Sequence, residues 1–252
     1  MMMKTGTIYC VFQKAPYPAV ISAISLGLFG IVYGLDLLTA MEPHYFSGLI
    51  FAVPFACFAV VTYLTYKEEL KELSSLIITS VLIGILSWAM FLAFIGPVFD
   101  AAMTITTDDT KYERALRLSS FSYALLENSF PEKIPDDAQD VYFSYQPAFL
   151  QGGENLALKF KTDADTIDHY IEEFSEKAEW IGKNRDSQAS QHGVFTGTLD
   201  IFNYAASGLP YDLTIYVLMS RPYQPGDWNH GVLSLVAISE KADEILFLAS
   251  RW

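Results

Sequence analysis

The sequence is poor in charged residues, in cysteine and in basic residues. Asp, Glu, Lys and Arg make up 18% of its 252 residues, against about 25% in ordinary soluble domains. Two cysteines, Cys10 and Cys57, are too few for a disulfide framework or a cysteine-based structural zinc site. The net charge of −13 leaves no basic stripe to contact phosphates, so we expect no nucleic-acid partner.

Recognisable catalytic motifs are also missing. The chain has no G-x-S-x-G, no Walker A loop, no H-E-x-x-H and no dinucleotide fingerprint. Three aspartates, Asp163, Asp165 and Asp168, lie close together, but a calcium-binding EF-hand loop needs Gly at its sixth position and Glu at its twelfth, counted here from Asp163. Those positions hold Asp168 and Phe174, so the aspartates indicate helix capping. We predict no enzymatic activity, no cofactor and no metal site.

Apolar and charged residues are unevenly distributed along the chain. Apolar residues reach 52% of the chain. Residues 1–100 carry four Lys or Arg and six Asp or Glu, a net charge of −2, whereas residues 101–252 carry twelve and 23, a net charge of −11. The chain therefore divides into an apolar first part and an acidic second part.

Three apolar runs in the first part are long enough to cross a bilayer, which takes about 20 helical residues. They cover about residues 17–40, 45–65 and 75–96, and the short linkers between them force neighbouring helices to be antiparallel. We predict a helical membrane region, residues 1–100, with three transmembrane helices in contact with the lipid bilayer. Asp36, the one charge within a run, falls near a helix end and is interpreted as solvated.

The lysines near the runs predict the orientation. Lys4, Lys14, Lys67 and Lys71 fall on one side of a three-span arrangement, and the first linker has no Lys or Arg. Positively charged residues in short loops favour the cytoplasm. We therefore expect a multi-pass protein of the cell membrane, with its N-terminus cytoplasmic and its C-terminal domain extracytoplasmic.

Small residues recur at helical spacing within the runs, which lets helices approach closely. The positions are Gly30 and Gly34 in the first run, Gly48 and Ala52 in the second, and Ser80 and Gly84 in the third. They predict packing of the three helices on one another, or alternatively docking to the helices of a membrane-protein partner. Pro54 predicts a kink in the second helix.

The acidic part predicts an α+β domain with an antiparallel sheet. Residues 101–130 predict a juxtamembrane helix, and residues 131–252 a soluble domain. Period-two patterns predict strands near residues 141–147, 155–161, 194–204, 213–219, 231–239 and 244–252, with Lys159 and Lys161 on a solvent face. A helical period from about residue 163 to Ile181 predicts a helix that Thr162 or Asp163 caps.

One loop stands out as a candidate recognition element. The segment 221–231, RPYQPGDWNHG, presents Tyr223, Asp227, Trp228 and His230 in a turn stiffened by two prolines. Aromatic residues are enriched at protein interfaces, and a stiff loop loses less entropy on binding. We therefore expect a non-catalytic binding, sensing or accessory domain. The alternatives are a subunit of a transport or immunity complex in the membrane, or a membrane-bound hydrolase using His230 and Asp227.

Overall fold

The computed structural model describes residues 5–148, 152–183, 186–195, 197–204, 210, 212–224 and 227–252. The side chains of a few further residues, among them Tyr223 and residues 227–229, lie outside this description. The chain forms two compact units, Met1–Ala101 and Ala102–Trp252.

The first unit is helical. It contains α1 (Thr5–Lys14), α2 (Pro16–Thr39), a 3₁₀ helix (Ser47–Ala52) that leads into α3 (Val53–Tyr66), and α4 (Glu72–Met103). Within the part of the chain that the structure describes, three segments are long and apolar enough to cross a membrane: Pro16–Thr39, Ser47–Tyr66 and Glu72–Gly96. In the first and third, only 6% of the most apolar window is buried, so most apolar side chains face outward. The three predicted spans are confirmed as apolar helices, and this exposure indicates membrane association.

The second span is not the kinked helix that Pro54 led us to predict. A 3₁₀ helix occupies Ser47–Ala52, and Pro54 lies in the first turn of α3, which begins at Val53. The first-turn N–H groups of an α-helix have no partner within the helix, so proline is accepted there without a lost hydrogen bond. The proline therefore marks a change of helix type.

Polar contacts hold the two ends of this unit. At one end, the Thr65 hydroxyl donates to the Ser75 hydroxyl over 2.8 Å, and the Lys14 ammonium lies 2.5 Å from the Glu68 carboxylate. At the other end, the Asp36 carboxylate accepts a hydrogen bond from the His44 backbone N–H at 2.8 Å and lies 3.0 Å from the His44 Nδ1 atom. Asp36 is thus a partnered residue at a helix end.

The second unit is an α+β domain, as predicted. Its described helices are α5 (Tyr112–Leu118), α6 (Tyr123–Ser129) and α7 (Ala164–Lys177), with 3₁₀ helices at Asp109–Lys111, Ala189–His192 and Asp200–Phe202. Its described strands are β1 (Gln139–Gln146), β2 (Glu154–Lys161), β3 (Trp180–Lys183), β4 (Thr214–Gln224), β5 (Asp227–Ser239) and β6 (Glu244–Arg251). They form one antiparallel sheet in the order β1-β2-β6-β5-β4-β3.

Both faces of this sheet are covered. Alternate residues of a strand point to opposite faces, so β6 directs Phe247 toward one face and Leu246 and Leu248 toward the other. The Phe247 face packs against rings from β2, from α7 and from Phe130. The opposite face packs against the irregular segment 189–204, which contributes Val194, Leu199 and Phe202 to the core.

The juxtamembrane segment differs from the single helix predicted over residues 101–130. It folds into α5 and α6, which Ser119 and Ser122 separate in extended conformation. Their apolar residues belong to the core of the second unit, where Tyr112 and Ala115 are almost fully buried. Just before them, Thr106 exchanges two backbone hydrogen bonds with Tyr145, at 2.9 and 2.8 Å, on the outer side of β1.

Two further predictions for this unit are wrong. Residues 194–204 are not a strand, because Gly197 and Asn203 have positive φ angles of 94° and 49° and a 3₁₀ helix intervenes. Residues 180–183 are not the end of a helix but strand β3, because α7 ends at Lys177 and Ala178 turns to ψ 133°. The sheet has six described strands, as predicted, but β3 takes the place of the strand predicted over residues 194–204.

Asp163 caps α7, and of the two capping residues predicted, Thr162 and Asp163, it is the one confirmed. Its carboxylate accepts from the Thr166 backbone N–H at 2.9 Å and from the Thr166 hydroxyl at 2.8 Å. The hydrogen bond from the Thr166 backbone N–H has the larger effect and the one from its hydroxyl the smaller, and together they hold the pKa of Asp163 below its ordinary value of 3.8. The capping carboxylate therefore stabilises the folded state in its ionised form.

This capping interaction predicts a dependence of stability on pH. A carboxyl whose pKa is lower in the folded state stabilises the fold above its unfolded pKa, and that contribution is lost as pH falls through the folded pKa. As the pH falls from about 5 to about 2, the unfolding temperature should therefore decrease less for Asp163→Asn than for wild type. Asparagine is an equally good N-cap at neutral pH, so only Asp163→Ala should lower the unfolding temperature there. Identical pH profiles for wild type and Asp163→Asn would contradict this assignment.

Candidate functional site: the β4–β5 hairpin arm

The segment that the sequence marked as a recognition loop belongs to a β-hairpin. Strands β4 and β5 pair from Thr214↔Ile238 outward to Gln224↔Asp227. β3 borders β4 only as far as Val217, and β6 borders β5 only from Val232. Among the described strands, residues 221–224 of β4 therefore border only β5, and residues 227–230 of β5 border only β4, and we name these two ranges the hairpin arm.

The base of the hairpin arm is tightly held. Arg221 donates two hydrogen bonds to the Glu179 carboxylate, at 2.7 and 2.5 Å, and these bonds lower the pKa of Glu179. Gly231 exchanges backbone hydrogen bonds with Trp252, at 3.0 and 3.2 Å. A Cβ atom at Gly231 would stand 3.0 Å from the Arg221 carbonyl oxygen, so the close approach requires glycine. The arm thus begins from a fixed base.

The predicted recognition residues can be located on this arm by their backbones. Tyr223 falls in the irregularity of register between Pro222 and Gln224. Asp227 and Trp228 open β5, and the side chains of these three residues lie outside the described part of the chain. His230 has an exposed side chain. The structure therefore supplies the backbone geometry of the candidate site and one of its four side chains.

A buried ion pair on the sheet was missed by the sequence analysis. Lys159, predicted to face solvent, has a side chain only 15% exposed, and its ammonium lies 3.7 Å from the Glu244 carboxylate. The ammonium also lies 4.3 Å from the centre of the Tyr204 ring, and the Tyr204 hydroxyl donates to Glu244. The prediction failed because segment 189–204 covers this face. Burial and the bond to Glu244 raise the pKa of Tyr204, so its phenol stays protonated.

A second buried carboxylate, Glu154, lies where β2 begins. It is 1% exposed and accepts hydrogen bonds from the Ser120 backbone N–H at 2.9 Å, the Ser120 hydroxyl and the Tyr145 hydroxyl at 3.2 Å. Arg251 donates to the Ser120 hydroxyl at 2.9 Å and to the Ser120 carbonyl at 3.0 Å. Every one of these polar groups has a partner, so the cluster fixes the α5–α6 connection on the sheet.

The predicted helix-packing positions behave differently from one another. Gly48 is buried against the Tyr33 ring, Ala52 is half-buried, and the exposed Ser80 has its hydroxyl 3.4 Å from that of Tyr17. Gly30, Gly34 and Gly84 have no described atom within 4 Å of where a Cβ would stand. Packing within the first unit thus accounts for Gly48, and these three glycines face open space.

This difference predicts that two glycine substitutions will change the stability of the first unit by different amounts. A Cβ at Gly48 would stand 2.9 Å from the Tyr33 ring, which the hydrogen bond from its hydroxyl to the Tyr45 carbonyl holds in place. Gly48→Ala should destabilise the first unit by about 1–3 kcal/mol, the range for overpacking. Gly30→Ala should cost less than about 0.5 kcal/mol. Unfolding of the detergent-solubilised chain measures both, and equal effects would contradict the packing described.

No group of three or more His, Cys, Asp or Glu residues in the part of the chain that the structure describes could hold a metal ion. Comparison of the chain with protein-family models, with curated proteins and with solved structures gives no match. The hairpin arm and the apolar helices are the two features that support a function for this chain.

Proposed function

We propose that this chain is a multi-pass protein of the cell membrane whose C-terminal unit is an extracytoplasmic binding, sensing or accessory module. The hairpin arm is its recognition element, and the chain has no catalytic activity of its own. The observation that carries this proposal is the arm itself, which extends past its neighbouring strands from a fixed base. The bound partner is a protein or ligand recognised by the side chains of the arm.

The orientation in this proposal rests on charge. Lys14 and Glu68 form an ion pair, which supports the assignment of the N-terminus and the α3–α4 linker to one side of the membrane. That side carries Lys4, Lys14, Lys67 and Lys71, and the α2–α3 linker has no Lys or Arg. Positive residues favour the cytoplasmic side, so the end of α4 and the acidic unit are extracytoplasmic.

Cysteine labelling tests the orientation directly. The only cysteines, Cys10 and Cys57, can be replaced by serine, and a single cysteine placed at the exposed Glu172 of α7 or at the exposed Lys71 of the α3–α4 linker. A membrane-impermeant maleimide applied to intact cells should label Glu172→Cys and leave Lys71→Cys unlabelled until the membrane is opened. The reverse pattern would invert the proposed topology.

Site-specific photo-crosslinking tests the recognition role. A photoreactive amino acid at Gln224 or His230, both exposed on the arm, should give discrete adducts in native membranes. The same amino acid at exposed Glu172 on α7 or Asn128 on α6 provides a matched control within the same unit. Adducts of equal yield at all four positions would refute a recognition role for the arm.

A second candidate function, as a subunit of a membrane transport or immunity complex, is favoured by the open glycines. At Gly30, Gly34 and Gly84 an added Cβ would meet no described atom within 4 Å, and small residues at helical spacing are typical of close helix association. Under this alternative, Gly30→Leu combined with Gly34→Leu should release the chain from a larger complex on a native gel. An unchanged complex size would eliminate the alternative.

A further inference from the structure

A cleft of about 510 Å³ lies between the three apolar helices of the first unit. Its walls are α2 from Ile21 to Val32, α4 from Ile83 to Phe94, and the second span at Phe51, Pro54 and Phe58. Two serines, Ser25 and Ser87, are the polar residues among those lining it. We refer to this space as the intramembrane cleft.

Contacts between the helices lie at both ends of the cleft. At one end, the hydroxyls of Tyr17 on α2 and Ser80 on α4 lie 3.4 Å apart. At the other, the rings of Phe51 and Phe94 pack edge to face with their centres 6.3 Å apart. The lining residues of α2 and α4 lie between these two contacts along the helices.

The chemistry of the walls selects an apolar occupant. A water molecule in a cavity needs two to four polar partners, and two serine hydroxyls in a space of this size offer too few. An empty cleft would forfeit the dispersion contacts of every side chain that lines it. The helices are apolar enough to lie in a bilayer, where hydrocarbon is the surrounding solvent.

The length of the cleft distinguishes a lipid chain from a partner helix. The walls run from Ile21 to Val32 on α2, a rise of about 16 Å at 1.5 Å per residue. One leaflet contributes half of the hydrocarbon core, about 15 Å. A transmembrane helix of a partner would have to continue for about 30 Å, well beyond the length of the cleft.

We propose that the intramembrane cleft is a binding site for a single phospholipid, whose acyl chain lies between α2 and α4. The acyl chain completes the packing that the protein's own side chains leave open. The lipid thereby acts as a structural component of the helical unit, and its binding does not depend on the proposed function of the hairpin arm.

Native mass spectrometry of the full chain, purified in detergent from membranes, tests this site. Wild type should retain one phospholipid per chain. Leu86→Trp, which fills the cleft from α4, should lose that lipid, whereas Ile85→Trp should keep it, because Ile85 is 60% exposed and outside the lining. A wild-type chain without lipid, or equal retention in both variants, would overturn the proposal. So would a wild-type dimer that only Leu86→Trp dissociates, because a second copy would then be the occupant.

A second measurement avoids the risk that Leu86→Trp fails to fold. The unmodified chain is reconstituted in phosphatidylcholine vesicles that contain a small fraction of phosphatidylcholine with a photoreactive acyl chain. Peptide mapping after irradiation should find labels concentrated on lining residues such as Met90 and Phe91, and few on the outward residues Ile85 and Ala89. Labels distributed evenly around α4 would show that lipid merely surrounds the helix, and would overturn the proposed site.

Discussion

Replacing Phe247 with alanine should lower the free energy of unfolding of the C-terminal unit by about 3–5 kcal/mol, the range for a fully buried aromatic residue. Phe247 is completely buried in β6. The centre of its ring lies 5.9 Å from Phe130, 5.7 Å from Phe160, 5.8 Å from Tyr170 and 6.2 Å from Phe174. Alanine would leave a cavity between a strand at the middle of the sheet and the helices that cover it.

Chemical denaturation of the solubilised chain, followed by circular dichroism, measures this loss. Tyr123→Ala is a suitable control, because Tyr123 is 75% exposed and exposed substitutions usually change stability by less than about 0.5 kcal/mol. Phe247→Leu should fall between the two, because leucine refills part of the cavity. A Phe247→Ala variant as stable as the Tyr123→Ala control would contradict the core described.

Replacing Lys159 with methionine should cost about 3–5 kcal/mol, the range for removing one partner of a buried ion pair. The change leaves the Glu244 carboxylate, which is 6% exposed, without its ion-pair partner, while the Tyr204 hydroxyl still donates to it. It also removes the ammonium from the face of the Tyr204 ring. The variant should therefore lose much of the stability of the C-terminal unit.

A double-mutant cycle isolates the energy of this pair. Adding Glu244→Gln to Lys159→Met removes the unpaired charge, so the double variant should recover most of the stability that Lys159→Met loses. Lys161→Met is the matched control on the same strand, since Lys161 pairs with exposed Asp140, and should change stability little. No recovery in the double variant would mean that the pair is not coupled as described.

The apolar helices and most strands could be predicted because each has a pattern of its own. A run of apolar residues as long as Pro16–Thr39 has few other structural outcomes. Strands β5 and β6 are separated by four residues, as predicted from the linker EKAD. Their central place in the sheet makes them nearly continuous apolar runs.

The segments that were predicted wrongly are those whose pattern is ambiguous. Ala178 and Ile181 continue the helical period of α7, so the period alone does not indicate that the helix ends at Lys177. Segment 189–204 has apolar residues because it covers one face of the sheet, and a covering segment needs no regular secondary structure. Its positive φ angles fall on Gly197 and Asn203, residue types that adopt such angles readily, so these two residues were a local signal against a strand that the apolar pattern concealed.

The backbone form of segment 221–231 was not predicted. The sequence indicated a stiff loop over 221–231, whereas the structure extends β4 and β5 through most of it. The anchor between Arg221 and Glu179 joins residues 42 positions apart, and such pairs are beyond local patterns. Lys159 was missed for a related reason, since alternation along β2 cannot reveal that its second face is covered.

The sheet order has a consequence for how the domain is made. β6 lies between the β1-β2 pair and the β5-β4-β3 group, so among the described strands these two groups pair only through β6, which follows the other five along the chain. A nascent chain that has not yet released residues 244–251 holds two separate apolar fragments, each with an open edge. Long-range pairing of this kind slows folding. Under the proposed extracytoplasmic location, delayed closure of the sheet would keep the polypeptide unfolded, and so able to cross the membrane, until β6 has been synthesised.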